Sequence, residues 1–441
     1  MSQLPGSCGY PIFGDKSVEF YRDPELFITT KISETSSKVF LTRLVNTPTI
    51  FVCSHQETTE ILYEKSRDFD HGYREFLYNS YGDNLLFENG EAAKLLRNCL
   101  TPIFTNITQY ESSIEEFFGK FFENFPPNGE LVNVYEEFKS LMTKFCLKFF
   151  LGFSDTSSEM SKSISELATL HWHGIISLPV SVKIPFAGQS GWSKAIEAKE
   201  KLLIHIRKMI AAEKNNSSSK LDASVPKNDA YVNPNKSNVI QQMLQVPFMN
   251  RDKNVEQHIL LFISSLIPKA FSSIITSFIL EMAGKEKANL RESAALDSEL
   301  LSRILLEVQR LWPPFLGGRR IANKDTTIGG YKIPKGYAVI YVSYFAHRDK
   351  NVFKNPDEFN PDRWLNQGNT ISANSIFTFG GGERVCIGHC LIQYILQRLT
   401  KTLLEKFTWE IDGDVNNTKK YKLLPVARPT ELPCVRFHNK I

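Results

Sequence analysis

Seven cysteines are spread through 441 residues and no two form a Cys-x-x-Cys pair. Their odd number and scattered spacing make a reducing compartment the simpler setting. The chain has no uninterrupted run of roughly 18 apolar residues, the length a membrane-crossing helix needs. Its opening, Met1-Ser2-Gln3-Leu4-Pro5-Gly6, is a stiff Pro/Gly entry without a signal-peptide apolar region. No basic tract interrupts the even mixture of 52 Lys and Arg with 48 Asp and Glu, so no nucleic-acid partner is expected. Internal repeats and heptad arrays are also missing.

What is present is a 42% hydrophobic chain, enough for a large core. Lys38 to Leu44 and Thr47 to Val52 read as strands. Apolar residues then recur at three- and four-residue spacing in Glu91 to Phe104, Glu111 to Phe125, Asn133 to Phe150 and Lys194 to Lys214, which predicts helices. A polar stretch rich in Ser, Asn, Lys and Pro, residues 215–238, reads as a mobile surface loop. The apolar pattern resumes at Val239 and runs with one break through Gly284. Beyond Glu299 come a helix, short strands including Ala338 to Tyr341, a loop and a final long helix. The fold class read from this pattern is mainly α with small β-sheets, contributed largely near the N-terminal third and between Arg319 and Tyr341.

The run Phe379-Gly380-Gly381-Gly382-Glu383-Arg384-Val385-Cys386-Ile387-Gly388 constrains chemistry most tightly. It precedes the helical pattern Leu391, Ile392, Ile395, Leu396, Leu399, so Cys386 offers its sulfur near a helix N-terminus. Unpaired N–H groups and the helix dipole favour a thiolate there. Glycines let the backbone curl around the sulfur and approach a flat ligand. Arg384 stands ready to pair with a carboxylate. A buried free cysteine after a Gly-rich turn is the plain alternative.

The run resembles the haem-binding loop of the cytochromes P-450, Phe-x-x-Gly-x-Arg-x-Cys-x-Gly, at every fixed position. Glu307-Val308-Gln309-Arg310 resembles the family's helical Glu-x-x-Arg pair, and Phe359-Asn360-Pro361-Asp362-Arg363-Trp364 its later Pro-x-Arg segment. The resemblance implies a single cytochrome P-450 domain over 1–441, haem b as cofactor and Cys386 as its axial thiolate ligand. It implies a buried charged triad, Glu307, Arg310 and Arg363, with a structural role. Arg384, Arg320 and Arg97 match family arginines near the haem propionates, with an ordinary surface arginine as the alternative for Arg97 and Arg320. Ala93 stands where the usual partner of Arg97 would be. Phe379 would shield the sulfur side of the haem, and Cys390 reads as packing. Leu311 to Arg320, Gly330 to Gly336, and the Ser177-Leu178-Pro179 and Ile184 to Gly188 segments look most like the retinoic-acid-hydroxylase branch and its sterol-modifying relatives.

From the resemblance follows monooxygenation of a lipophilic small molecule, a retinoid, sterol, terpenoid or fatty acid, with electrons from an NADPH-dependent reductase or a ferredoxin. An intracellular place is implied, cytoplasmic or peripheral on the endoplasmic reticulum. Microsomal members carry an anchor helix ahead of a similar Pro/Gly hinge. This chain has none, so either the protein is soluble or peripheral, or the reading frame is truncated. Two departures stand out. Where family monooxygenases have Ala/Gly-Gly-x-Asp/Glu-Thr-Thr, this chain has Ile267-Pro268-Lys269-Ala270-Phe271-Ser272, and no acid lies between His258 and Leu280. Cleaving dioxygen needs a proton source, and Ala270 and Phe271 supply none. Ser272 or Ser273 are the available substitutes, and Pro268 is placed to bend the helix and free a carbonyl. Haem-thiolate enzymes that rearrange hydroperoxides also lack the acid–alcohol pair, so a reductase-independent isomerase or dehydratase is the alternative, with a weak haem-binding protein as a third reading. The second departure is the short connection from Gly284 to Glu307.

Overall fold

A computed structural model of the protein describes residues 3–125, 129–153, 155–175, 183–184, 188–219, 238–246, 249, 254–365, 371–413 and 420–440. The chain divides into two compact units, one made of Met1–Gly72, Phe118–Tyr135 and Ser272–Ile441, the other of Tyr73–Phe117 and Glu136–Phe271.

The first unit is built on a five-stranded sheet. Val39–Leu44 and Thr47–Val52 form an antiparallel hairpin whose turn residues, Val45 and Asn46, both take positive φ, as a tight two-residue hairpin requires. Ala338–Tyr341 runs parallel to Thr47–Val52 and antiparallel to Gly318–Ala322, which pairs in turn with Phe69–His71. Ile50, Val52, Phe69, Val339 and Phe377 share one core cluster against this sheet. The helices Ser298–Leu311 and His389–Lys406 belong to the same unit. Asp297 caps the first of these by accepting from the amides of Glu299 and Leu300.

A second sheet joins Phe407–Asp412, Cys434–Asn439 and Leu131–Asn133. Two of its strands, Phe407–Asp412 and Cys434–Asn439, lie outside the regions where the sequence predicts most of the β-structure. Its signal is a short alternation in which Val435 and Phe437 are buried between partly exposed neighbours, too brief to stand out beside the helical pattern.

The second unit is helical. Glu159–Ile175 and Gly191–Ser219 pack closely because Gly174 has no Cβ to collide with the Gly191 carbonyl. The latter helix continues to Ser219, past the start of the loop expected at 215. Residues 220–237 lie outside the described residues, as do most of the branch-like segments at 177–179 and 184–188.

The apolar stretch from Val239 onward is broken twice: Val239–Gln245, Asn254–Phe262 and Leu266–Glu281 are separate helices. Asn254–Glu281 is long and apolar enough to span a membrane by composition, and 72% of its most apolar window is buried inside the protein. The short connection after Gly284 resolves into one turn, Lys285–Lys287, and one helix, Ala288–Leu296, tied back by Arg291 to the Met282 and Gly284 carbonyls.

Candidate active site

The cysteine loop owes its course to its glycines, and they do different work. Gly380 and Gly382 hold φ of 74° and 62°, a region costly for side chains with a Cβ. A Cβ on Gly382 would also run into the Leu62 carbonyl, and one on Gly381 into the Tyr63 ring, both on the π-helical turn Glu60–Glu64. A Cβ on Gly388 would meet nothing within 4 Å. The loop is thus packed on one side and open at its end. The Cys386 amide donates to the Phe379 carbonyl at 2.8 Å, and the Cys386 carbonyl accepts from His389 at 3.2 Å, where the helix begins. Cys386 itself is exposed. Phe379 is half-buried with its ring 5.0 Å from that of His389, and Arg384 is half-buried. Cys390 is exposed one helical turn on.

Beside this loop lies the charged triad. Glu307 and Arg310 have no exposed surface, and Arg363 is 8% exposed. Burying charge is expensive unless every pole is matched, and here the matching is dense. Glu307 Oε1 accepts from Arg310 Nη2, Arg363 Nε and the Asn360 amide, each at 2.9 Å. Oε2 accepts from Arg310 Nε at 2.9 Å and from the Trp364 indole at 3.0 Å. Arg310 spends its other donors on the carbonyls of His347, Pro356 and Glu358. Arg363 donates to Lys354 and Asn355. Desolvation draws the Arg310 pKa down and Glu307 opposes it. Trp364 and Asn360 complete the network, and no spacing rule pointed to their roles.

Arg320 is 6% exposed, with its guanidinium 5.5 Å over the Tyr341 ring. A Cβ on Gly380 would lie 3.9 Å from the Tyr341 hydroxyl, so Tyr341 joins Arg320 to the cysteine loop. Arg319, its neighbour, is equally buried and donates to the Gly72 carbonyl. Arg97 sits half-buried on Gly90–Thr105 in the other unit.

The donor set fits a haem: an accessible sulfur on a glycine-lined loop, with buried cations in the same unit to meet carboxylates. Among the described residues no group of three or more His, Cys, Asp or Glu is gathered as a bare metal ion would require.

The core helix breaks at 263–265, one turn ahead of Pro268, where the missing proline N–H leaves the Ser264 carbonyl without its i+4 donor. Ser264 bonds the Tyr81 hydroxyl at 2.7 Å, filling the break with protein contacts. Ser272 cannot stand in freely as a proton carrier, because its hydroxyl donates to the Tyr135 carbonyl at 2.6 Å. Ser273 Oγ and Thr276 Oγ1, by contrast, are buried with no hydrogen-bond partner among the described residues, and Ser277 bonds the Tyr421 hydroxyl.

The family model for cytochrome P450 matches residues 5–264 and 279–435. The chain belongs to the cytochrome P450 family. The stretch this P450 leaves unmatched, 265–278, is the core helix already marked as divergent. Among its relatives, beta-amyrin 11-oxidase of Glycyrrhiza uralensis is 24% identical, covering 97% of this chain and 89% of the relative. Cytochrome P450 26B1 of Xenopus tropicalis is 25% identical, covering 98% and 86%. Among solved structures, a cyanobacterial CYP120A1 with retinoic acid bound superposes with a TM-score of 0.79 at 20% identity, over 100% of both chains. The cofactor of this P450 is haem b, and its activity class is monooxygenation; the hydroperoxide alternative is not favoured by these relatives. The family takes electrons from a redox partner and binds lipophilic substrates.

Proposed function

We propose that this P450 acts as a single haem domain over 1–441 that hydroxylates a rigid, largely apolar substrate of retinoid or triterpenoid size, with electrons supplied by an NADPH-dependent reductase or a ferredoxin. The observation that carries the reading is the exposed Cys386 sulfur at the end of a loop packed by Gly381 and Gly382 and open at Gly388. Cys386 would hold the haem through its thiolate, and the group would supply oxygen activation favoured by electron donation from that sulfur. Arg320 and Arg384 neutralise propionates, Arg97 contributes from its helix, and Phe379 covers the sulfur. Glu307, Arg310 and Arg363 hold the scaffold. With no acid between His258 and Leu280, Ser273 and Thr276 are the hydroxyls left to hold a water for proton delivery.

The test is the carbon monoxide spectrum of the reduced protein together with substrate loss. Cys386→Ser should abolish the red-shifted band; an unchanged band sinks the ligand assignment. Retinoic acid and beta-amyrin should be consumed only with a reductase, nicotinamide cofactor and air. Rapid anaerobic conversion of a fatty acid hydroperoxide, with no reductase, would overturn the monooxygenase reading.

For location, a lipid surface is the proposed contact. Tyr10, Ile12 and Phe13 are 82%, 74% and 93% exposed, on a turn that Arg43 grips through the Cys8, Gly9 and Asn46 carbonyls. Of the nearby acids, Glu19 pairs with Lys16, while Asp15 and Asp23 accept from backbone amides; a zwitterionic surface is the one proposed. Flotation with phosphatidylcholine vesicles should fall in Phe13→Ser; equal flotation would reject this contact.

A further inference from the structure

The cysteine loop begins at Phe377, whose amide is held by an imidazole. His347 is fully buried. Its Nε2 lies 2.6 Å from the Phe377 amide, and its Nδ1 lies 3.1 Å from the Arg310 carbonyl. An amide can only donate and a carbonyl can only accept, so the ring must be neutral, with its proton on Nδ1. The contact is reciprocal, since Arg310 Nη1 donates back to the His347 carbonyl at 2.9 Å. Two further struts reach the same helix. Thr378 donates to the Gln309 carbonyl at 2.9 Å. Gln309 and Gln393 exchange amide hydrogen bonds at 2.9 and 3.2 Å, joining Ser298–Leu311 to the helix that follows the cysteine. His55 supports the approach, donating to the Ser375 carbonyl at 2.9 Å, with its ring 4.8 Å from that of Phe377.

We infer that His347 is a positioning residue that transmits the rigidity of the Glu307–Arg310–Arg363 triad to the Cys386 loop. The triad makes no direct hydrogen bond to the loop among the described residues; the imidazole bridges them with one donor and one acceptor. A carboxylate or an ammonium could not do this, because each lacks one of the two roles. The Phe377 amide would otherwise be a buried donor left unpaired, which costs more than the bond itself contributes. Outer partners of this kind govern how well a metal ligand is held. The consequence for Cys386 rests on its reading as the thiolate ligand.

The experiment uses the haem-loaded full chain and its His347→Leu, His347→Gln and Cys386→Ser variants. Leucine fills space without either hydrogen bond; glutamine can offer one acceptor and one donor. In His347→Leu, amide exchange of the 377–386 segment should quicken about tenfold, and haem should transfer to apomyoglobin about tenfold faster. Part of the red-shifted carbon monoxide band should give way to the unshifted band, with circular dichroism unchanged and both effects reduced in His347→Gln. Wild-type exchange and wild-type haem retention in a folded His347→Leu protein would overturn the inference. Should that variant fail to fold, His347→Met, flexible and without either hydrogen bond, takes its place, and wild-type exchange there would overturn the inference equally. If Cys386→Ser keeps the red-shifted band, the ligand reading fails, while the exchange measurement still decides the brace.

Discussion

At the scale of single residues, the site is governed by what happens to charge and to backbone that cannot reach water. Glu307 accepts five hydrogen bonds with no exposed surface. Truncating it leaves two guanidinium groups buried without their counter-charge, so Glu307→Ala should lower stability by about 3 to 5 kcal/mol and abolish haem retention, measured by urea unfolding and the haem absorbance. A change below 1 kcal/mol would mean the triad is solvated. The glycines make a sharper contrast. Gly382→Ala meets both a positive φ and the Leu62 carbonyl, and should cost roughly 1 to 3 kcal/mol. Gly388→Ala points into open space, and any loss there would show that the bound cofactor comes close to that Cα.

At the scale of elements, the core helix Leu266–Glu281 carries the divergence. Thr276 and Ser273 hold buried hydroxyls with no partner among the described residues, a desolvation cost without a compensating bond. Ser272 instead spends its hydroxyl on Tyr135. Thr276→Val should therefore leave stability unchanged or raised, while Ser272→Ala should lower it by about 1 kcal/mol, both read by denaturant unfolding. If Thr276 supplies the water site for proton delivery, its valine variant should slow reductase-driven turnover and divert electrons to peroxide while remaining fully folded. Normal coupling would place that route elsewhere. The break at 263–265 was legible in Pro268, whose missing N–H leaves the Ser264 carbonyl without its i+4 donor, and Ser264 and Ser265 add side-chain partners that compete with the helix.

For the molecule as a whole, three buried imidazoles set the acid limit. Burial lowers His171 and His258 from the ordinary 6.5 to about 4, and lowers His347 well below it. His258 accepts from the Leu85 amide and donates to the Asn254 carbonyl, so it too must be neutral. Each group binds its proton more readily when unfolded. Their contribution is complete above pH 6.5 and is lost as pH falls toward 4, by about 1 kcal/mol per site for each pH unit. Denaturant midpoints measured across that window should drop accordingly; a flat profile would show that these rings are solvated.

The periodicities, the cysteine loop and the Glu-x-x-Arg pair lay open in the chain, because each depends on neighbours within a few residues: helix faces, positive-φ glycines, an i, i+3 ion pair. They were enough for a mainly α haem-thiolate protein. The sheet joining Leu131–Asn133 to Phe407–Asp412 and Cys434–Asn439 was not legible, nor was the closing of the triad by Trp364 and Asn360, nor the bridge from Arg310 through His347 to Phe377. These pairings join segments tens to hundreds of residues apart, and an indole, an imidazole or an amide reads the same in sequence whether it is solvated or paired. Folding alone decided which of them had to be paired, because only burial removes the water that would otherwise have satisfied them.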